Sequence, residues 1–344
     1  MDSVLNWLFE ALTSGRHSEL LLRALDPSKK IAIPAIISAI LISYAVYAMR
    51  VRPARGPNAS FWSFLFPREI YRNRSALVDV QIALVTVVLK PVQFIVMGVT
   101  VALFAANLTD LIVDVFGPSP TLLPNTWGVT LLLGLVAFLL TDLSTYLIHR
   151  ISHERRFFWA FHRLHHSAEV LTPLTVERKH PMYGVFSRLL DFALVSPFYA
   201  LVLYLWPGDT DAMVILVVRW TYGLFALAGA NLRHSHVWVS FGPFWEHVLI
   251  SPAQHQLHHS RAQEHWDVNY GEVLAVWDWM FGTLRLSEPK RQKLSFGLTD
   301  EPEQPHAGFL QAMYEPFVYA WGVVRDAFDN LRPPSDDAGR TLHG

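Results

Sequence analysis

Apolar positions in this chain come in long unbroken runs separated by short polar stretches, so span length organises the pattern more than any local amphipathic period. A membrane-crossing helix needs roughly 20 mostly apolar residues to cover about 30 Å of hydrocarbon. Residues 31–49 are uncharged throughout. Residues 77–108 exceed one crossing and contain Lys90-Pro91, which predicts a single kinked or tilted helix. Residues 127–148 are apolar except for Asp142, and residues 186–206 with 212–232 predict a hairpin across Pro207-Gly208-Asp209. The fold class expected is all-α: a polytopic membrane bundle of about four to five crossings, with a helical cap. Residues 308–331 predict an amphipathic helix carrying Phe309, Leu310, Met313, Phe317, Trp321 and Val324, suited to lie on the membrane beside that cap. The final stretch, PPSDDAGRTLHG, reads as disordered.

Charge distribution gives the spans a direction. Arg50, Arg52, Arg55, Arg68, Arg72 and Arg74 follow the first span, while residues 109–126 hold no Lys or Arg and carry Asp110 and Asp114. Arg150, Arg155, Arg156, Arg163, Arg178 and Lys179 follow the third span. Cytoplasmic loops carry the basic excess, so the ends of the first and third spans are expected inside. Arg16, Arg23, Lys29 and Lys30 would then fall outside, unless an interfacial amphipathic helix precedes the first span. The opening MDSVLNWLFEAL lacks the basic start of a cleavable signal, which makes the first crossing an internal anchor. Hydrophobic residues make up 52% and charged ones 17%, with a mean hydropathy of +0.26. The chain has no cysteine, which excludes disulfides and thiolate-held metals or clusters from this chain. A net charge of -1, without a basic run interleaved with aromatics, argues against nucleic acid as a partner.

Of the 16 histidines, most fall within residues 149–166 and 234–265. They form three boxes: His149-x3-His153, His162-x2-His165-His166 and His255-x2-His258-His259. Helical positions i, i+3 and i+4 share a face, so each box can aim its imidazoles at one place. Eight nitrogens are too many for one tetrahedral zinc and suit two ions with open positions. Imidazole accommodates zinc, copper, iron and nickel alike; iron is the choice if the task is to activate dioxygen against an unreactive C–H bond. Zinc can occupy the same cage in purified protein. Asp142 shares a helical stripe with Tyr146, His149 and His153 and is expected to accept a ring N–H from a ligand histidine, the alternative being a helix-packing role. Arg219 is expected either to pair with Asp191 or to face a headgroup. The i, i+2 spacing of His234 and His236 lets only one reach the metals unless the chain has left helical geometry. His180 and His265 read as hydrogen-bonding residues rather than ligands.

TDLSTYLIHRISH at 141–153, FHRLHHS at 161–167, and HQLHHS followed by DVNYGEVLAVWDWMFGT, ending at 283, resemble the successive signatures of the fatty acid hydroxylase and sterol desaturase superfamily. The resemblance covers about 75–286 and divides the chain into residues 1–74, a catalytic domain at 75–286 and a tail at 287–344. It implies an integral membrane oxidase with a histidine-bound di-iron centre that uses O2 and external electrons to hydroxylate or desaturate a lipid. Carried over by position, the ligands are His149, His153, His162, His165, His166, His255, His258 and His259, completed by His234 and His236. The family often shows Asn near 236. The elements around Asp267 to Gly271 and Trp277 to Thr283 resemble its structural support for the last box. No Rossmann glycine signature or second haem-type histidine pair is present, so electrons are expected from a separate donor of cytochrome b5, ferredoxin or reductase type.

Other classes make different demands. A hydrolase of the H-E-x-x-H type is excluded because His153-Glu154 continues as Arg155, Arg156, Phe157. A metal transporter or sensor predicts metal binding without O2 consumption. Sterol, hopanoid, ceramide, ether lipid and aminolipid all stay open as substrates, with a pocket expected to be built from generic Phe, Leu and Trp.

Overall fold

The computed structural model describes residues 33–56, 58–120, 126–206, 210–298, 306 and 308–331, with backbone alone at 87, 88, 90–102, 210–212 and 331. The interfacial helix expected before the first span, the Pro207-Gly208-Asp209 connector and the disordered end lie outside these residues.

Helix α1 (Ile33–Val46) runs through a π-helical turn (Tyr47–Val51) into Arg52–Arg55. After short turns at Phe61–Leu65 and Arg68–Tyr71, α2 (Arg74–Phe116) starts at Asn73, whose side chain accepts from the Ser75 amide. Its 43 residues form one continuous helix through Pro91, about 65 Å at 1.5 Å per residue. Helix α3 (Trp127–Glu154) is capped by Thr126 and stops at Arg155, whose extended backbone redirects the chain into α4 (Arg156–His166). Among the described residues, three stretches have the length and composition to cross a membrane, Ile33–Arg55, Trp127–Glu154 and Pro181–Leu205, and Met213–Leu227 is a shorter apolar helix. The protein is all-α and multi-pass.

The expected hairpin is more broken than its hydropathy suggested. Its first arm begins earlier, as α5 (Pro181–Leu194), and restarts at Ser196-Pro197 as α6 (Ser196–Leu205). Its second arm, α7 (Thr210–Leu227), ends short of residue 232 because Gly229 turns left-handed at φ 93°, and Ala230–His234 continues as a 3-10 turn. Helices α3 and α7 pack closely at Gly134, where a Cβ would lie 2.4 Å from Val217 Cβ. Asp191 accepts from Ser144 and Arg188.

Two short helices complete the cap. Helix α8 (Pro252–His258) opens with a capping box of Ser251 and Gln254, and α9 (Val276–Phe281) follows it. The amphipathic tail helix, α10 (Phe309–Leu331), packs Ala312 with Val78, Ile82 and Leu164, and Ala320 with Ala160 and Phe161. It leaves Leu310, Val318 and Trp321 exposed.

Candidate metal centre

Nine histidines meet at the end of α3. The described residues contain two groups whose ligand atoms lie within 4.8 Å of one another: His149, His153, His162, His166 and His258; and His165, His234, His255 and His259. The chain reaches this arrangement by stopping helices. Arg155 folds α4 back so that its box faces the His149 and His153 stripe, and α8 places His255 and His258 on one side with His259 at its C-cap. All eight box histidines are brought together, with His234 as a ninth.

In the four-histidine group, Nε2 of His234 lies 3.2 Å from that of His165, 3.1 Å from His259 and 3.0 Å from His255. His259 and His255 are 3.2 Å apart through the same atoms. A neutral imidazole has one N–H, so these mutual approaches cannot all be hydrogen bonds. Lone pairs converging on one cation explain them: two nitrogens at right angles, about 2.1 Å from a common ion, sit about 3 Å apart.

In the five-histidine group the rings are oriented from outside. His149 Nδ1 donates to the Tyr270 carbonyl at 2.7 Å and His258 Nδ1 to the Val268 carbonyl at 2.8 Å, leaving each Nε2 a lone pair. Those Nε2 atoms, with Nε2 of His153, His162 and His166, are buried and have no hydrogen-bond partner. Unpaired buried nitrogens on this scale are costly unless something binds them. Burial, reinforced by neighbouring histidines, holds His162, His165, His166, His255 and His259 well below the ordinary imidazole range, and burial brings His258 down to about 4. The rings are therefore neutral at pH 7, the form that binds metal. The donor set, all nitrogen and neutral, fits two transition-metal ions.

Asp142 does not touch a histidine. Its carboxylate accepts from the Val273 and Leu274 amides and from Trp277 Nε1, at 3.0 to 3.2 Å. The expected ring contact is corrected: the 270–277 segment reaches the carboxylate first, and the Tyr270 carbonyl takes His149. Asp142 is joined to His149 only through that segment. Asp278 anchors the same segment from the other side, accepting from the Tyr270 and Gly271 amides and from Thr283 Oγ1, and burial raises its pKa to about 6. A Cβ at Gly271 would lie 2.5 Å from the Leu274 carbonyl oxygen.

His236 lies outside both groups. Its Nε2 donates to the Phe64 carbonyl at 2.6 Å and its ring packs edge-on against Phe64, so of the pair only His234 joins the cluster. His180 accepts from the Met182 amide and meets the Met313 carbonyl, capping α5. His265 belongs to neither group.

Several residues that hold the centre were not singled out from sequence. Arg178 is buried, pairs with Asp79 at 3.0 Å and donates to the Leu164 carbonyl and Ser167 at the end of α4. Asp79, a carboxylate inside an apolar span, carries the same signal that marked Asp142. Glu246 is fully buried and accepts from Ser240, Ser251 and Ser287, fixing the start of α8. A cavity of about 280 Å³ opens beside His149, His162, His165, His234 and His255. Its remaining lining is mixed, Val176, Tyr183 and Tyr222 standing beside Thr145, Lys179, Ser187 and Glu272, where generic Phe, Leu and Trp were expected.

A family model described as fatty acid hydroxylase matches residues 134–283. The chain is 29% identical over 200 residues to the ornithine lipid hydroxylase OlsE of Rhizobium tropici, covering 56% of this chain and 53% of that protein. It is 32% identical over 163 residues to the alkylglycerol monooxygenase of Homo sapiens, covering 47% and 32%. With the Delta(7)-sterol 5(6)-desaturase ERG3A of Gibberella zeae it shares 31% over 150 residues, covering 44% and 37%. The chain thus spans about half or less of the length of these relatives. No solved structure matches it.

Proposed function

Over residues 134–283 the chain belongs to the fatty acid hydroxylase and sterol desaturase superfamily, and from that premise we propose that it is a di-iron membrane oxidase that hydroxylates a lipid close to its polar group. The observation that carries the reading is the pair of converging, largely buried histidine groups beside a cavity of mixed lining in a chain with membrane-crossing helices.

His149, His153, His162, His166 and His258 would hold one iron, and His165, His234, His255 and His259 the other. Bound iron would supply the activation of O2 that lets one oxygen atom enter a C–H bond while the other leaves as water, with two electrons and two protons coming from a separate donor. The protein's own part is positional. The Tyr270 and Val268 carbonyls keep the His149 and His258 lone pairs turned inward. Tyr183 stacks on His162, ring centroids 4.9 Å apart, and lines the cavity.

Thr145, Ser187 and Tyr222 bring hydroxyls to the cavity, and Lys179 over the Tyr183 ring and Glu272 paired with Arg233 at 3.0 Å bring charge to its wall. An amine- or hydroxyl-bearing lipid matches that wall better than a bare acyl chain or sterol ring. This reading agrees with the ornithine lipid and alkylglycerol in the names of two relatives, and it favours hydroxylation over desaturation. The basic residues from Arg50 to Arg74 favour a cytoplasmic position for the metal centre.

The test is iron per chain and a visible spectrum on gently purified protein, followed by lipid analysis of expressing cells against a His165→Ala control. About two irons, no haem band and lipids carrying one added oxygen would support the reading. Haem, a single metal, metal binding without O2 consumption, or a product that has only lost hydrogen would each overturn it.

A further inference from the structure

A second cavity, also of about 280 Å³, sits where α1 ends, and none of its lining residues is shared with the cavity at the metal centre. Residues of the π-helical turn, of Arg52–Arg55 and of the turns at Phe61–Leu65 and Arg68–Tyr71 line it together with His236 and Arg291. Its polar lining is Arg50, Arg55, Ser63, Glu69, His236 and Arg291. Arg50 Nη1 donates to the Pro289 carbonyl at 3.0 Å, tying the loop to α1. Among the described residues, Arg55 and Arg291 form no ion pair, and burial together with the charge of Arg55 lowers the pKa of Arg291. Cations gathered here without carboxylate partners suit a phosphate, which arginine binds through paired N–H groups.

The other groups ask for the opposite. Because His236 Nε2 donates to the Phe64 carbonyl, the neutral ring presents Nδ1 as an acceptor, and that atom is buried without a partner. Glu69 adds a carboxylate to the same cavity. A ligand that satisfies both halves carries a phosphate and, a short distance on, an N–H donor with positive charge.

The cavity lies at the end of the membrane-crossing stretch Ile33–Arg55. Met49, Trp62 and Phe66 are exposed around it, the last two stacked with ring centroids 6.2 Å apart. Exposed aromatics at the end of a crossing mark headgroup depth. We propose that this cavity is a binding site for the headgroup of a phospholipid bearing a primary ammonium, with Arg50, Arg55 and Arg291 on the phosphate and Glu69 and His236 Nδ1 on the ammonium. The site is separate from the proposed oxidation and does not depend on it, although bound lipid would brace the segment carrying His234.

The experiment is native mass spectrometry of the full chain in mild detergent, titrated with phosphatidylethanolamine, phosphatidylcholine, phosphatidylglycerol or inorganic phosphate, with iron content measured in parallel. Phosphatidylethanolamine is expected to bind about tenfold tighter than phosphatidylcholine, which has the same charges and no N–H. Arg55→Gln with Arg291→Gln is expected to weaken that binding about tenfold without changing iron content. Glu69→Gln should remove the preference over phosphatidylcholine while leaving phosphatidylglycerol unchanged. Equal binding of the ethanolamine and choline lipids, or insensitivity to the double substitution, would overturn the proposal. Displacement of the lipid by inorganic phosphate at similar concentration would assign the site to a free anion and overturn the lipid occupant.

Discussion

The five-histidine group takes its ring orientations from backbone carbonyls of the 268–270 segment, whereas the four-histidine group has its Nε2 atoms packed against one another at 3.0 to 3.2 Å. The first is steered by hydrogen bonds made on the far side of each ring. The second is held by where α4, the 3-10 turn and α8 end. A polar segment can therefore tune one group, while helix packing and capping set the other, and the two should fail in different ways.

Removing a converging nitrogen has the largest expected effect. His165→Ala should cut iron from about two to about one per chain and abolish product formation, read by elemental and lipid analysis. Retention of full iron and turnover would break the assignment of the four-histidine group. Asp142→Ala comes next, because it strips three buried donors of their acceptor, at a cost of about 2 to 4 kcal/mol read as a lowered Tm. Iron should be lost first from the five-histidine group, and Asp142→Asn should recover part of both. Glu246→Gln addresses the other group through the start of α8 and should cost about 1 to 3 kcal/mol. Greater disturbance of the first group than of the second would mean that the start of α8 does not set the four-histidine group.

Acid should weaken the metal-free protein through the same rings. His258 is lowered from its ordinary 6.5 to about 4, so the unfolded chain binds more protons between those values. Stability is fully present above about pH 6.5 and falls as pH drops toward 4, and His162, His165, His166, His255 and His259 shift in the same direction. A melting series over that range should show Tm rising with pH; a flat series would mean the rings are not buried neutral. His236→Gln has the smallest expected effect on the centre, leaving iron content unchanged, because the ring faces Phe64. Loss of iron in that variant would return His236 to the ligand set.

Sequence alone determined the all-α, multi-pass class and the eight box histidines, because both follow from local periodicity: about 20 apolar residues make a crossing, and i, i+3, i+4 spacing puts rings on one face. Local spacing could not choose between His234 and His236. That choice depended on Gly229 ending α7 and on the Phe64 carbonyl, 172 positions away in the chain, taking the second ring. The partners of Asp142, the buried pair of Asp79 with Arg178, and the mixed cavity wall likewise join residues about a hundred positions apart. Only the tertiary structure decided them, because a buried polar group takes whichever partner the packed helices bring within about 3 Å, and no sequence spacing records that distance.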